Sequence, residues 1–197
     1  MPPRDAAEPH YPLLSQVELP ADLRRLDESR LPQLAAELRR FLIASVSKTG
    51  GHLAAGLGVV ELSVALHYVF DFSSDRLLFD VGHQCYSHKL VTGRSSEFQS
   101  IRTRGGLMGY PNPEESPYDL FMTGHAGCSI SSVLGLRSGD QLLGHDGRHA
   151  VAVIGDGALT GGVALEALNQ AAGCNNDLII VLNDNKKSIG DNVGAIS

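Results

Sequence analysis

Two short apolar runs near the end of the chain set the frame for its fold. Ala150-Val151-Ala152-Val153-Ile154 and Leu178-Ile179-Ile180-Val181-Leu182 lack polar alternation and stop at Gly155 and Asn183, the pattern of parallel strands buried on both faces. Between them, Gly161 to Ala172 gathers helix formers with apolar residues three to four apart, and Gly173 supplies a stop, which predicts a crossover helix. A strand, helix and strand of this length form a right-handed βαβ unit, with both strand ends at one edge of the sheet. Upstream, Leu34, Leu38, Phe41, Leu42 and Val46 mark one face of an amphipathic helix, with Arg39 and Arg40 on the other side. Glu61 to Phe70 reads as a second helix and Arg76 to Phe79 as a strand. Tyr118 to Met122 is expected as a short strand, Ser129 to Leu143 as mostly helix, and Gly144 to His149 as a turn back toward the 150–154 strand. Ser96 to Pro117, rich in Gly, Pro and charge, is a long connection of the kind that carries function. Met1 to His10 reads as a disordered tail. No repeat, low-complexity tract or linker breaks the rest. The expected architecture is therefore α/β: an open, mostly parallel sheet with helices on both faces, in one domain over residues 11–197.

This pattern collects polar residues where open α/β sheets bind ligands, beyond the carboxyl ends of the strands. Gly155-Asp156-Gly157 follows the first strand, Asn183-Asp184-Asn185 follows the second, and 25 residues separate the triplets. Alone, each triplet reads as a turn or a polar loop. Paired across one βαβ unit, they offer the Asp156 carboxylate and the Asn185 amide oxygen to Mg²⁺, which takes one or two such ligands together with waters and phosphate oxygens. Gly155 and Gly157 let the backbone approach a diphosphate, and the amides opening the next helix favour its charge. His52, His83 and His125 each follow a glycine in a predicted loop, the setting where chemistry usually sits; a surface or turn role is the alternative for each, and the one adopted for His145. Zinc is disfavoured, because these imidazoles lack short ligand spacing and a Cys-rich partner. Arg102, just before Gly105-Gly106, is either a solvated loop arginine or a partner for a carboxylate or phosphate. Glu166 reads as a helix-surface or interface residue, and Glu61 has no partner identifiable from sequence.

Composition narrows the partners. The 197 residues are 43% hydrophobic, and the net charge of −6 argues against nucleic acid or an anionic membrane. Positive charge for phosphates must then come from a metal and from helix ends. No apolar run approaches the roughly 18 residues of a membrane span, and the opening residues lack a signal-peptide core, so a bacterial-type cytoplasmic location is expected. Cys85, Cys128 and Cys174 form no CxxC pair and read as free thiols in a reducing compartment.

The paired triplets resemble the thiamine diphosphate signature of the transketolase superfamily. Phe79-Asp80-Val81-Gly82-His83-Gln84-Cys85-Tyr86-Ser87-His88-Lys89-Leu90-Val91-Thr92-Gly93-Arg94 is similar to the corresponding stretch of the 1-deoxy-D-xylulose-5-phosphate synthase family. Segments 50–62, Ile101-Arg102-Thr103-Arg104-Gly105-Gly106-Leu107 and Ser188-Ile189-Gly190-Asp191-Asn192-Val193-Gly194-Ala195 resemble it too. The resemblance implies thiamine diphosphate and Mg²⁺ as cofactors. Asp156, Asn185 and the Lys187 carbonyl would hold the metal; His83, Gly124, His125, Ala126, Gly157, Ala158 and Asn185 would bind the cofactor; His52 and His83 would be catalytic. It further implies a homodimeric transferase that condenses pyruvate and glyceraldehyde 3-phosphate to 1-deoxy-D-xylulose 5-phosphate with release of CO₂, feeding isoprenoid and thiamine synthesis. Only the family's amino-terminal third is covered, so the pyrimidine-binding and carboxyl-terminal domains, with the glutamate that activates the cofactor, fall outside it, and the chain alone is expected to be inactive. The alternatives are half of a split transketolase, disfavoured by Gly82-His83-Gln84-Cys85-Tyr86-Ser87-His88-Lys89, and an isolated cofactor-binding fragment. Three departures stand out. Gly124-His125-Ala126-Gly127-Cys128-Ser129 replaces the commoner Gly-His-Ser-Ser-Thr-Ser and loses three hydroxyls; Lys186-Lys187 replaces an acidic residue and methionine; Cys85 replaces alanine and reads as packing.

Overall fold

A computed structural model describes residues 10–174, 176–186, 190 and 192. In chain order its elements are α1 (Pro20–Arg24), α2 (Leu31–Thr49), α3 (Leu53–Gly58), α4 (Val60–Val69), β1 (Arg76–Phe79), α5 (Tyr86–Val91), α6 (Ser129–Leu142), β2 (Ala150–Gly155), α7 (Asp156–Leu159), α8 (Gly162–Gly173) and β3 (Ile179–Asn183), with short 3-10 turns at Leu14–Gln16, Glu28–Arg30 and Phe98–Ser100. The chain divides into two compact units. One is helical and takes in residues up to Val69 together with Tyr86–Gly109; the other holds the sheet and comprises Phe70–Cys85 and the chain from Tyr110 onward.

In the helical unit, α2 buries Leu34, Leu38, Leu42 and Val46 along one face, as the apolar spacing predicts. Proline sits in its first turn and Gly50, at φ +76°, ends it. Phe41 is half-buried and stacks edge-on with Tyr11 and Phe98, at centroid distances of 5.3 and 5.8 Å. Glu37 is buried on the same helix, where its Oε2 accepts the Leu13 and Leu14 amides at 2.8 and 2.9 Å. Burial pushes its carboxyl up, but those amides, Gln33 and Arg40 together bring it below the usual carboxylate range. Glu61 gains the partner that its sequence context does not reveal: the Arg39 guanidinium reaches it from α2, with Nε 2.9 Å from Oε1. His67 and His88 are buried with Nε2 and Nδ1 3.0 Å apart.

In the second unit, β2 lies between β1 and β3, and both pairings are parallel. On one face, Leu78, Ala150, Ala152 and Ile154 pack against Ile130 and Val133 of α6 and Ala164 and Ala167 of α8. Small alanines on α8 let the helix approach closely. The amino-terminal edge of the sheet is pinned by ions: Asp140 on α6 accepts from Arg76 at 2.8 and 2.7 Å and from Arg148 at 2.6 Å. The Arg76 hydrogen bonds, more than any other influence, hold the buried Asp140 carboxyl down at about 2. Asp75 adds a bond to the His149 amide, 2.8 Å.

The α/β class with an open parallel sheet is thus as the apolar pattern predicts, and the predicted elements fall within a residue or two of expectation except in two places. The helices α1, α3 and α5 carry no expectation from the sequence, and β3, expected buried, is half-buried to exposed at the edge of the sheet. Tyr118 to Met122 forms no strand. A strand needs a neighbour to pair with; here Asp119 is buried as a local anchor, its carboxylate accepting the Asn112 amide at 2.8 Å and its own amide bonding Ser116 O at 3.1 Å, so the segment closes into turns. The second difference lies at Gly155-Asp156-Gly157, which is no free turn: β2 runs through Gly155, and Asp156 is the first residue of α7. Among the described residues no helix is long and apolar enough to cross a membrane. Of the expected tail, residues 1–9 lie outside the described residues.

Candidate functional site

The carboxyl end of β1 is built more tightly than its sequence implies. Asp80 is 2% exposed, extends the strand pairing through its amide to Val153 O (2.7 Å), and receives the amides of Gly127 (2.8 Å) and Ser129 (3.0 Å) on its carboxylate. One side chain therefore ties the 124–129 loop to the strand and places negative charge at the start of α6. The next residues turn sharply. Gly82 donates to Asp80 O at 2.6 Å around Val81 at φ +60°, the uncommon positive-φ γ-turn, which is strained for a β-branched residue. Gly82 itself sits at φ +87°, and a Cβ there would lie 2.1 Å from Thr123 Oγ1 and 2.6 Å from Pro111 Cδ. Only glycine fits, so its positive φ and the crowding Thr123 and Pro111 side chains fix the turn that carries His83 and Gln84.

The two polar triplets meet as neighbours. Gly155 stands opposite Asn183 in the β2–β3 register, and adjacent strands lie about 4.8 Å apart; Asp156 and Asn185 follow one and two residues beyond that pair. Asp156 Oδ2 accepts from Asn192 Nδ2 at 2.6 Å, which brings Asn192 back to the first triplet. Asp184 Oδ1 receives the Lys186 amide at 2.8 Å, an Asx turn that holds Lys186 at φ +58°. Gly157 and Ala158 lie half-buried in α7, where Thr160 Oγ1 bonds Gly157 O at 2.8 Å. Lys187 lies outside the described residues.

Gly124, His125 and Ala126 are exposed just ahead of α6. His125 lines a cleft of about 200 Å³ with Phe121, Met122, Thr123, Cys128 and Ser129 beside the end of β1. Asp156, Gly157 and Asn185 are not among its walls, so the cleft lies off β1 while the triplets lie off β2 and β3, all on one edge of the sheet. His83 is half-buried in the 81–85 turn. His52 belongs to the helical unit, where it precedes α3 and its amide donates to Tyr86 Oη at 3.3 Å. Burial first, and the Arg102 charge second, lower its pKa, which keeps the imidazole neutral near pH 7. Arg102 is held at φ +61° by its amide bond to Leu107 O, 2.7 Å.

The donor set suits a metal and a diphosphate. Ser129 Oγ and Thr123 Oγ1 in the cleft walls, and Gln84 Oε1 near Gly155, are buried without a hydrogen-bond partner among the described residues, and such groups favour a polar ligand. Among the described residues no three His, Cys, Asp or Glu side chains converge as a ligand set. An ion here would rest on the Asp156 carboxylate, the Asn185 amide, phosphate oxygens and water, a hard-oxygen set that fits Mg²⁺. Asp80, Ser129 and Asn192 escaped selection as site residues, although Asp80 and Asn192 lie inside the segments that carry the family resemblance.

Comparisons with known proteins identify relatives of the chain. The family profile described as 1-deoxy-D-xylulose-5-phosphate synthase matches residues 14–197. Curated relatives of that name include those of Thioalkalivibrio sulfidiphilus, 56% identical over 187 residues (95% of this chain, 29% of the relative); Cellvibrio japonicus, 54% over 189 (96% and 30%); and Neisseria meningitidis serogroup C, 55% over 185 (94% and 29%). The chain spans about 30% of the length of these relatives. With nearly every residue inside the matched region and more than half identical to each of these relatives, the chain belongs to the 1-deoxy-D-xylulose-5-phosphate synthase family.

Proposed function

We propose that this chain provides the thiamine diphosphate and Mg²⁺ site of a 1-deoxy-D-xylulose-5-phosphate synthase that joins pyruvate to glyceraldehyde 3-phosphate with loss of CO₂, as a homodimer in the cytoplasm. The observation that carries this reading is the register of Gly155 opposite Asn183, because it brings together the strand ends that lead into Asp156 and Asn185. When bound, the cofactor supplies a nucleophilic carbon and a sink for the electrons released on decarboxylation. The chain's own residues do the holding. Asp156, Asn185 and the Lys187 carbonyl take the metal; Gly124, His125, Ala126, Gly157 and Ala158 receive the diphosphate, with the Ser129 and Thr123 hydroxyls, which have no partner among the described residues, as further donors. Asn192 orients Asp156 through its 2.6 Å bond. His83 binds the cofactor and, like the neutral His52, exchanges protons with the reacting groups. The family resemblance assigns the glutamate that activates the cofactor's aminopyrimidine to a domain outside the roughly 30% of the relatives' length that this chain spans, so the 197 residues by themselves are expected to bind without turning over.

Calorimetric titration with thiamine diphosphate tests this. Binding is expected with Mg²⁺ and not without it, and Asp156→Ala should weaken it at least about tenfold, as loss of a ligand or its support does in metal sites. Equal affinity in the variant, or binding indifferent to metal, would remove the basis of the assignment.

A further inference from the structure

Of the three cysteines, Cys85 is buried, Cys174 is half-buried and accepts from Gln170, and Cys128 is exposed. Cys128 immediately precedes α6 and lines the cleft beside His125, with its Sγ 3.9 Å from the Ala126 carbonyl oxygen. Its backbone is clamped from both sides, because the amides that bond Asp80 belong to its two neighbours, Gly127 and Ser129. The thiol cannot leave the cleft by a shift of the loop without breaking those bonds. Independently of the thiol, the cleft is prepared for a polar ligand: Ser129 is 3% exposed, and its Oγ has no partner among the described residues.

Resting on the cofactor assignment above, we propose that Cys128 is a thiol-modification site through which small-molecule disulfides shut the cofactor out of this cleft. The step is thiol–disulfide exchange. The Cys128 thiolate attacks one sulfur of the disulfide, a new S–S bond forms as the old one breaks, and the departing thiolate takes up the proton that Cys128 lost. The adduct then stands over the Gly124-His125-Ala126 segment. When its substituent carries carboxylates, negative charge is added where a diphosphate must enter. The commoner family segment has a hydroxyl residue at this position, so the sensitivity is specific to chains with cysteine there.

The test uses glutathione disulfide on the whole chain, with mass spectrometry to locate the adduct and calorimetry with thiamine diphosphate and Mg²⁺ to read binding. The expected result is an adduct at Cys128 whose formation is slowed by bound cofactor, an affinity at least about tenfold lower after modification, a change of about 1.4 kcal/mol or more, and recovery with dithiothreitol. Cys174→Ser should respond as the wild type does, whereas treated and untreated Cys128→Ser should bind alike. Absence of an adduct at Cys128, or unchanged binding once it is modified, overturns the thiol proposal and leaves the cofactor assignment standing. Failure of the untreated protein to bind thiamine diphosphate overturns both.

Discussion

Leu77 of β1 and Ile179 of β3 flank Val151 in one register row, yet Leu77 is 5% exposed and Ile179 is 36% exposed. The contrast continues past the strand ends. Beyond β1, Asp80 is buried under two amide bonds, and Gly82 occupies a space that admits no side chain. Beyond β3, Asp184, Asn185 and Lys186 are exposed, and a local Asx turn bonds Asp184 to the Lys186 amide. The candidate clamp is therefore assembled from unequal halves. Groups off β1 and β2 stand on a packed, prepaid frame, whereas those off β3 must be ordered partly by whatever binds, at a cost in affinity.

Four substitutions grade that contrast, from the largest expected effect downward. Asp80→Ala leaves the buried Gly127 and Ser129 amides without their acceptor and should cost about 4 kcal/mol in urea unfolding, at roughly 1–3 kcal/mol for each abandoned group; a loss under about 1 kcal/mol would mean that water replaces the carboxylate and that the β1 end is not tightly built. Leu77→Ala, in the closed edge strand, should cost about 3 kcal/mol, the middle of the range for a buried leucine. Asp140 predicts a pH effect at the opposite end of β1. Its folded pKa of about 2 lies below its ordinary 3.8, so its contribution is whole above pH 4 and is lost as pH falls through 2. The stability gap between wild type and Asp140→Asn should accordingly shrink by about 2 kcal/mol between pH 5 and pH 2, and a gap that stays constant would show that the Arg76 and Arg148 pairs contribute nothing to folding. Ile179→Ala, the row-mate of Leu77, should cost only about 1 kcal/mol because its side chain is partly in water already. Equal losses at Leu77 and Ile179 would abolish the distinction between the two edges.

Much of this architecture can be read directly from residue order. The β2 run is apolar without alternation because that parallel strand is covered, whereas the β3 run has the same pattern but is half-buried to exposed, so its expected burial does not hold; glycine or asparagine ends each run where the chain must turn. The α2 stripe shows because 3.6-residue periodicity is a local property, and the alanines of α8 together with Gly173 mark a crossover helix for the same reason. Given those elements, the placing of both triplets at one edge of the sheet follows from the connection. Tyr118 to Met122 fails the same logic because a short apolar segment holds strand propensity without a strand to pair with, and Asp119 bonds locally instead.

Residue order by itself determined the elements, the edge of the sheet where polar groups collect and the family to which the chain belongs, since each is written in spacings of a few residues or in contiguous motifs. Tertiary structure alone decided which distant atoms meet: Asp80 with amides 47 and 49 residues away, Asp156 with Asn192 across 36, and Arg39 with Glu61 across 22. Nothing in local propensity distinguishes such partners, because a hydrogen bond over that separation exists only once packing has brought the two loops together, and its strength depends on burial that no single segment creates on its own.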